Sequence, residues 1–335
     1  MGTGEHDGSG TTDHSVPPDD PTPPADAFEV LGHEIRLATI EALAEERRES
    51  WIPRGLRFSE LRDAVGVRDT GQFNYHLDQL RGSFVSKFGD EYVLTNAGFE
   101  LAGALRAGTF DQTAGRTERR GELDRTCPVC DEPLEAVYEY GYLRVVCPDH
   151  DRILTTTLPP AAVHDRDMST VVDLANARVR DQVQRVRAGG CPHCWGETTV
   201  TAPAEPSEAY LRAIADEAGD CEDAADDEHD PDEDAVLAEC SCEECGMRFW
   251  LPVSVCVAHD PAVVAYYHEH GVEMDGDYLD MEHATGSNGT VVAEDPVRLE
   301  VDVVVEDAAE ALVLTLDANT EIVDYRREPP ADRRT

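Results

Sequence analysis

The cysteines of this chain come in pairs, and the pairs limit what it can fold into. Cys127-x2-Cys130 is followed by Cys147-x2-His150, and Cys191-x2-Cys194 by Cys242-x2-Cys245, whereas residues 1–126 contain no cysteine. Two thiolates two residues apart on a tight turn offer two soft ligands to one side of a cation, and a second pair across a hairpin completes a tetrahedron. The spacing therefore predicts two zinc-ribbon-like modules and two Zn2+ ions. Cys127, Cys130, Cys147 and His150 are the ligands of the first site, and Cys191, Cys194, Cys242 and Cys245 those of the second. Gly196 and Gly246 follow their pairs closely, as tight knuckles require. Cys240 fits the spacing less well than Cys242, and Cys221 lies in an acidic stretch. Cys256 sits in a strand pattern, Val253 to Val257, and reads as a buried apolar residue.

Four such ligands close a site, and a catalytic zinc needs an open position. There is no HExxH or HxE-PCxxC pattern, and the CxxC pairs lack the βαβ context of a thiol oxidoreductase. The zinc is expected to be structural and the chain not an enzyme. A zinc- or thiol-responsive sensor is the alternative.

Charge narrows the setting. The chain has 70 acidic and 28 basic residues, a formal net charge of −42, and Lys87 is its one lysine. Acidity spread over all segments, with lysine almost absent, fits a protein adapted to molar intracellular salt, where the Debye length falls to about 3 Å and carboxylates keep the surface hydrated. No stretch approaches the roughly 20 apolar residues of a membrane span, and the N-terminus lacks the pattern of a signal peptide. Paired cysteines in a reducing compartment read as ligands rather than disulfides, so the expected location is the cytoplasm.

The chain divides as follows. Residues 1–25 are a solvated, disordered tail ending in a proline-rich run. Residues 26–110 form the N-terminal module. Leu37, Ile40, Leu43 and Ala44 recur at helical spacing after Gly32. A second helix starts at Ser59, read as its N-cap, with Phe58, Leu61 and Val65 buried, and ends at Gly66. A third follows Asp69-Thr70 with Phe73, Leu77 and Leu80 inward. A hairpin spans residues 84–94, and a fourth helix capped by Thr95 turns Ala97, Leu101 and Ala104 inward. A linker, 111–126, leads to the first ribbon, 127–160, whose strands turn at Gly141. A connecting helix lies within 161–190, from Met168 to Arg187, with Val171, Leu174, Val179, Val183 and Val186 as its apolar stripe. The second ribbon, 191–270, carries an acidic insertion, 203–239, with a helix at 207–214. Residues 271–335 form a three-stranded antiparallel β-meander. The fold class is α+β.

Helix, short helix, turn, third helix, wing and closing helix is the order of a winged helix-turn-helix, in which the third helix, Asp69 to Arg81, enters the major groove and the hairpin crosses the backbone. Gln72, Asn74, Tyr75 and Gln79 then face outward, and amide side chains can pair with adenine edges. Arg57, Arg62, Arg68, Arg81 and Lys87 give the segment a local basic balance in a very acidic chain, although Asp78 on the same face repels phosphate unless it is paired. The candidate DNA contacts are Arg57, Arg68, Thr70, Gln72, Asn74, Tyr75, Gln79, Arg81 and Lys87.

The segments Leu31-Gly32-His33-Glu34-Ile35-Arg36-Leu37, Phe58-Ser59-Glu60-Leu61 and Gly71-Gln72-Phe73-Asn74-Tyr75-His76-Leu77 resemble haloarchaeal winged-helix transcriptional regulators of the ArsR type, over residues 26 to about 110. The whole chain resembles a haloarchaeal group in which this domain precedes a cysteine-rich region. The resemblance implies a homodimer that binds double-stranded DNA at an operator and often releases it on binding a metal or small ligand. The chain departs from the family's metal sensors in having no Cys-x-Cys box in the helix-turn-helix, so metal release by that box is not expected. The rival reading is an adaptor that binds a protein partner through the ribbons and the meander rather than DNA.

Overall fold

The computed structural model describes residues 24–49, 55–111, 118–127, 130–149, 151–202, 236–272, 278, 289–305 and 308–329. They form a mixed α+β fold with, among the described residues, nine helices and four antiparallel sheets, divided into two units, Met1–Asp111 and Gln112–Thr335.

The first unit runs α1 (Pro24–Leu31), α2 (Glu34–Glu49), β1 (Leu56–Arg57), α3 (Phe58–Val65), α4 (Thr70–Leu80), β2 (Val85–Phe88), β3 (Glu91–Leu94) and α5 (Asn96–Arg106). Its boundaries have local causes. Gly66 stops α3 at φ 76°, and its amide and that of Val67 close onto the carbonyls of Asp63 and Arg62. Asp69 caps α4 by accepting the Gln72 amide at 2.6 Å, and Thr95 caps α5 by accepting the Gly98 amide at 3.1 Å. Ile40, Leu43, Leu61, Phe73, Leu77, Leu80, Val85 and Tyr92 close one core.

Several expectations need correction here. Helix α1 begins at Pro24, inside the segment assigned to the tail, the rest of which lies outside the described residues. Ser59 is the second residue of α3 rather than its cap. Arg57 holds the cap position, with its amide donating to Glu60 Oε2 at 2.8 Å. The hairpin gains a third strand because Leu56 and Arg57 pair with Tyr92 and Glu91, giving the order β1-β3-β2. On α5 the buried residues are Gly98 and Ala102, while Ala97 is exposed. Close approach sets that rotation: a Cβ on Gly98 would lie 2.1 Å from the Phe84 carbonyl oxygen.

The second unit opens with a four-stranded antiparallel sheet of β4 (Arg119–Thr126), β5 (Pro133–Glu139), β6 (Tyr142–Cys147) and β7 (Asp151–Thr157), in that order. Strand β4 occupies the second half of the run read as a linker. Leu123 is its one buried side chain, so β4 shows no alternating apolar signal. After α6 (Pro160–Val163), the helix α7 spans Met168–Arg187, capped by Asp167, whose Oδ1 accepts the Thr170 amide at 2.9 Å. Its first half packs Met168, Val171, Val172 and Ala175 onto Leu134, Ala136, Tyr138, Leu143 and Val145. Its second half packs Val179 and Val183 onto Val255, Ala258 and Tyr278. Leu174, expected in the stripe, is among the exposed apolar residues.

Next come β8 (Thr198–Thr201), β9 (Leu237–Cys242) and β10 (Arg248–Pro252), ordered β10-β9-β8. Strand β9 begins inside the segment assigned to the acidic insertion. Residues 203–235, with the expected helix at 207–214 and Cys221, lie outside the described residues. Val253–Val257 forms a short helix, α8, and not a strand. All five residues are buried, so the run carries no periodicity that separates the two forms. Helix α9 (Pro261–Glu269) follows its cap Asp260. The chain then forms a meander of β11 (Gly289–Glu294), β12 (Val297–Val303), β13 (Ala311–Asp317) and β14 (Ile322–Glu328). The meander has four strands where three were expected. Only the glycine of β11 is buried, so that strand too lacked an apolar pattern. Leu299, Val301, Val303, Leu312, Leu314 and Leu316 meet Val263 and Tyr266 in one core. No helix among the described residues is long and apolar enough to cross a membrane.

Candidate metal centres and candidate nucleic-acid interface

Three of the cysteine turns repeat one backbone geometry. The first cysteine donates its amide to the carbonyl five residues on and accepts from the amide four residues on. Cys127 does this with Glu132 and Asp131 (2.7 and 3.0 Å), Cys191 with Gly196 and Trp195 (2.8 and 3.0 Å), and Cys242 with Met247 and Gly246 (2.9 and 3.0 Å). The residue just after the second cysteine of each turn is left-handed, with φ of 62° at Asp131, 65° at Trp195 and 73° at Gly246. This curl brings the second cysteine of a pair back beside the first. Cys147 is built differently. It ends β6 and pairs directly with Asp151 across a tighter hairpin, after a register shift at Val145/Val146.

These turns collect the sulfurs. Cys191, Cys194, Cys242 and Cys245 form one group and Cys127, Cys130 and Cys147 another, the Sγ atoms of each lying within 4.8 Å of one another. His150, expected as the fourth ligand of the first site, lies outside the described residues. Four sulfurs at about 2.3 Å from a common centre in tetrahedral array stand about 3.8 Å apart. The observed contacts are Cys191 to Cys245 3.7 Å, Cys194 to Cys242 3.6 Å and Cys130 to Cys147 3.5 Å. A disulfide needs about 2.05 Å. Both groups therefore fit a tetrahedral metal, and tetrahedral thiolate sites suit zinc or iron.

The surroundings favour thiolate at Cys191 of the second centre. The amides of His193 and Cys194 donate to Cys191 Sγ at 3.3 and 3.4 Å, and that of Gly196 to Cys194 Sγ at 3.4 Å. Burial opposes ionisation of Cys191, but those amides and hydrogen bonds from neighbouring thiols outweigh it and bring the thiol down to about 7. At Cys194 the Gly196 amide favours thiolate, yet the crowding of Cys245 and the other sulfurs, together with burial, pushes the thiol up to about 12. At Cys130 the Glu132 amide favours thiolate, while burial and the neighbours Cys147 and Cys127 push it up to about 11. Four sulfurs this close hold several protons without a cation, and a divalent cation removes that repulsion and displaces them. Exposure separates the centres. Cys194 and Cys245 are exposed, whereas Cys127 and Cys147 are buried in the core of the first sheet and Cys130 is half-buried. Cys240 and Cys256 join neither group. Burial pushes the Cys240 thiol up, as it does that of Cys256, to about 12 in the latter.

On the first unit, helix α4 buries Phe73, His76, Leu77 and Leu80 and leaves Thr70, Gln72, Asn74, Tyr75, Asp78 and Gln79 exposed. Arg57, Arg68, Arg81 and Lys87 are exposed as well. Of the nine candidate DNA contacts, three have side-chain hydrogen bonds or ion pairs to other side chains. Asn74 Nδ2 donates to Asp78 Oδ2 at 2.9 Å, Arg81 pairs with Asp78 at 3.2 Å, and Thr70 Oγ1 accepts from Arg62 at 3.2 Å. The charge of Asp78 is thus met within the helix. Arg62 is also tied to Asp63 at 2.8 Å. Residues 55–95 hold five basic and six acidic residues, so the segment is near neutral in a chain of −42 rather than basic. Lys87 stands over the Tyr92 ring at 5.5 Å, and Phe88 beside it is 82% exposed. Phe88 escaped the sequence reading. The signal was an aromatic next to the Gly89-Asp90 turn, where a core residue has nothing to pack against.

A mixed α+β chain with two cysteine centres that can hold metal ions is the class these observations define. A family described as a domain of unknown function (DUF7351) matches residues 124–322, and a second domain of unknown function (DUF7347) matches residues 24–105. The first match covers more than half of the chain, which therefore belongs to the DUF7351 family. No curated protein and no solved structure matches the chain.

Proposed function

We propose that the chain is a DNA-binding transcriptional regulator of the cytoplasm, with a winged helix-turn-helix in its first unit and two structural zinc centres in its second. The observation that carries this reading is the uncovered face of α4 beside the β2–β3 hairpin. Gln72, Tyr75 and Gln79 project from the helix, Arg68 precedes its first residue by two, Arg57 lies on β1 opposite Glu91, and Lys87 and Phe88 stand on the hairpin. A helix with free amide side chains next to a wing that presents Lys87, although Asp90 and Glu91 stand on the same hairpin, is equipped to read a major groove and grip an adjoining phosphate. The resemblance to ArsR-type regulators points the same way and adds the homodimer. Zinc would be held by Cys191, Cys194, Cys242 and Cys245, and by Cys127, Cys130 and Cys147 with His150 as the fourth ligand, and would supply rigidity without an open coordination position.

Roles divide along the face. Gln72 and Gln79 read bases. Asn74, held by Asp78, contributes to shape before it contributes to readout. The near-neutral segment makes non-specific affinity weak, and molar salt weakens it further by removing counterion release. Substitution tests the assignment on an operator fragment. Gln72→Ala with Gln79→Ala should weaken specific binding about tenfold or more, from a worth of about 1–3 kcal/mol per good base contact. Lys87→Ala should weaken binding to all sequences alike and lower the salt slope by about 1. Unchanged binding in the glutamine variant contradicts the assignment.

A further inference from the structure

The three repeated turns differ in one respect. At the left-handed position, where glycine fits without strain and an acidic side chain is tolerated, the turns carry Gly246 and Asp131, but the third carries Trp195. A bulky aromatic is the least suited residue for that backbone, and this one gains little burial in return, being 72% exposed. Among the described residues its ring partner is the Arg185 guanidinium, 4.4 Å from the centroid, which covers a single face. A left-handed backbone at an exposed aromatic also occurs at Tyr140, so it is the surroundings of Trp195 that give it significance.

The neighbouring charges identify the partner. Glu197 follows two residues after Trp195, and Glu243 and Glu244 are the two residues between the facing cysteines Cys242 and Cys245. Glu244 lies against Gly196, where a Cβ would come within 3.0 to 3.1 Å of its side-chain carbons. All three carboxylates are exposed and none has an ion-pair partner among the described residues. The nearby cations are already matched: Arg185 pairs with Asp181 at 3.0 Å and Arg248 with Glu239 at 3.2 Å. An open indole face beside unmatched carboxylates is complementary to an alkyl-ammonium or guanidinium group, which stacks on the ring and pairs with the acids.

We propose that Trp195, with Glu197, Glu243 and Glu244, forms a docking site for a basic segment of a partner protein, one arginine or lysine of which stacks on the free face of the indole. The site sits on the four-cysteine centre, is separate from the proposed DNA-reading face, and does not depend on it. The carboxylates disfavour a nucleic-acid strand here, since they would face its phosphates. In molar salt the ring contact persists while longer-range attraction between charges is screened.

The test uses the full-length, metal-loaded protein in 1 M KCl and follows the anisotropy of a fluorescent hexa-arginine peptide. A Gly-Ser hexapeptide and a single-stranded oligonucleotide serve as controls. The peptide is expected to bind, Trp195→Gly to weaken it about tenfold or more, and Glu243→Gln with Glu244→Gln to weaken it as well. Because glycine occupies the matching place at Gly246, Trp195→Gly should keep the metal content and a thermal midpoint at or above that of the parent. No binding above the Gly-Ser control overturns the proposal, as does equal binding by Trp195→Gly or a preference for the oligonucleotide. If Trp195→Gly sheds its metal, Trp195→Tyr decides. Affinity within about threefold of the parent supports the ring's role, and loss of binding by the folded tyrosine variant overturns it.

Discussion

The two units of this chain solve the same problem with different chemistry. The first has no cysteine and rests on Ile40, Leu61, Phe73, Leu77 and Leu80, all drawn from helices with clean apolar periodicity. The second also has apolar cores, but it ends its sheets in cysteine turns, and Cys127 and Cys147 belong to the core of the first sheet itself. One unit rests on burial, and the other joins burial to two cysteine groups that can hold metal ions. The difference teaches that any metal dependence would be local to the second unit. It also separates two properties of a metal centre, because the group with four described thiols, at Cys191, has two of them in solvent, while the three-thiol group is mostly covered.

Removing metal should give the largest effect. Structural zinc contributes about 10–16 kcal/mol of apparent binding free energy in small peptides, against a total stability of about 5–15 kcal/mol for a domain. Chelation at neutral pH is expected to abolish the thermal transition of the second unit and leave that of the first in place. A single transition that ignores chelator would break the comparison. Under partial chelation, mass spectrometry of alkylated peptides should show Cys194 and Cys245 modified before Cys127 and Cys147, in keeping with their exposure.

The converse experiment is smaller. Leu77 is 1% exposed, and Leu77→Ala is expected to cost the first unit about 2–5 kcal/mol while the metal stoichiometry stays unchanged. Thr95→Ala removes the cap of α5 and the hydrogen bond to the Ser83 carbonyl, and should cost about 1 kcal/mol in the same transition. The smallest effect is in pH. Burial, then the charges of His33 and Arg36, hold His76 below the ordinary histidine value of 6.5. The unfolded chain therefore takes up this proton first. The first unit should keep its full stability above about pH 6.5 and lose part of it as pH falls below that value. His76→Gln should flatten the dependence, which calorimetry on the two variants can read.

Much of this was legible where residue type dictates geometry. The CxxC spacings led to both sulfur groups, the caps Asp69 and Thr95 lie where their side chains place them, and α7 has the bounds its apolar stripe implied. What escaped notice did so for physical reasons. Strands β4 and β11 bury one residue each, so they carry no alternation, and they form because a neighbouring strand offers hydrogen bonds. The α8 segment is buried on all sides and loses its period. The pairing of Asn74 and Arg81 with Asp78 depends on side-chain conformation within one helix turn, which spacing permits and does not require. Nothing in the sequence around Trp195 encodes its left-handed backbone, which matches that of Gly246 and Asp131, or its exposure.

The most direct test of the central claim is selection of genomic DNA fragments by the zinc-loaded protein in molar KCl. The account predicts enrichment of a recurrent site, palindromic if the protein acts as a homodimer, and loss of that enrichment in the Gln72→Ala, Gln79→Ala variant. Absence of any enriched site, with both thermal transitions intact, would contradict DNA reading by the first unit and leave partner binding as the function to pursue.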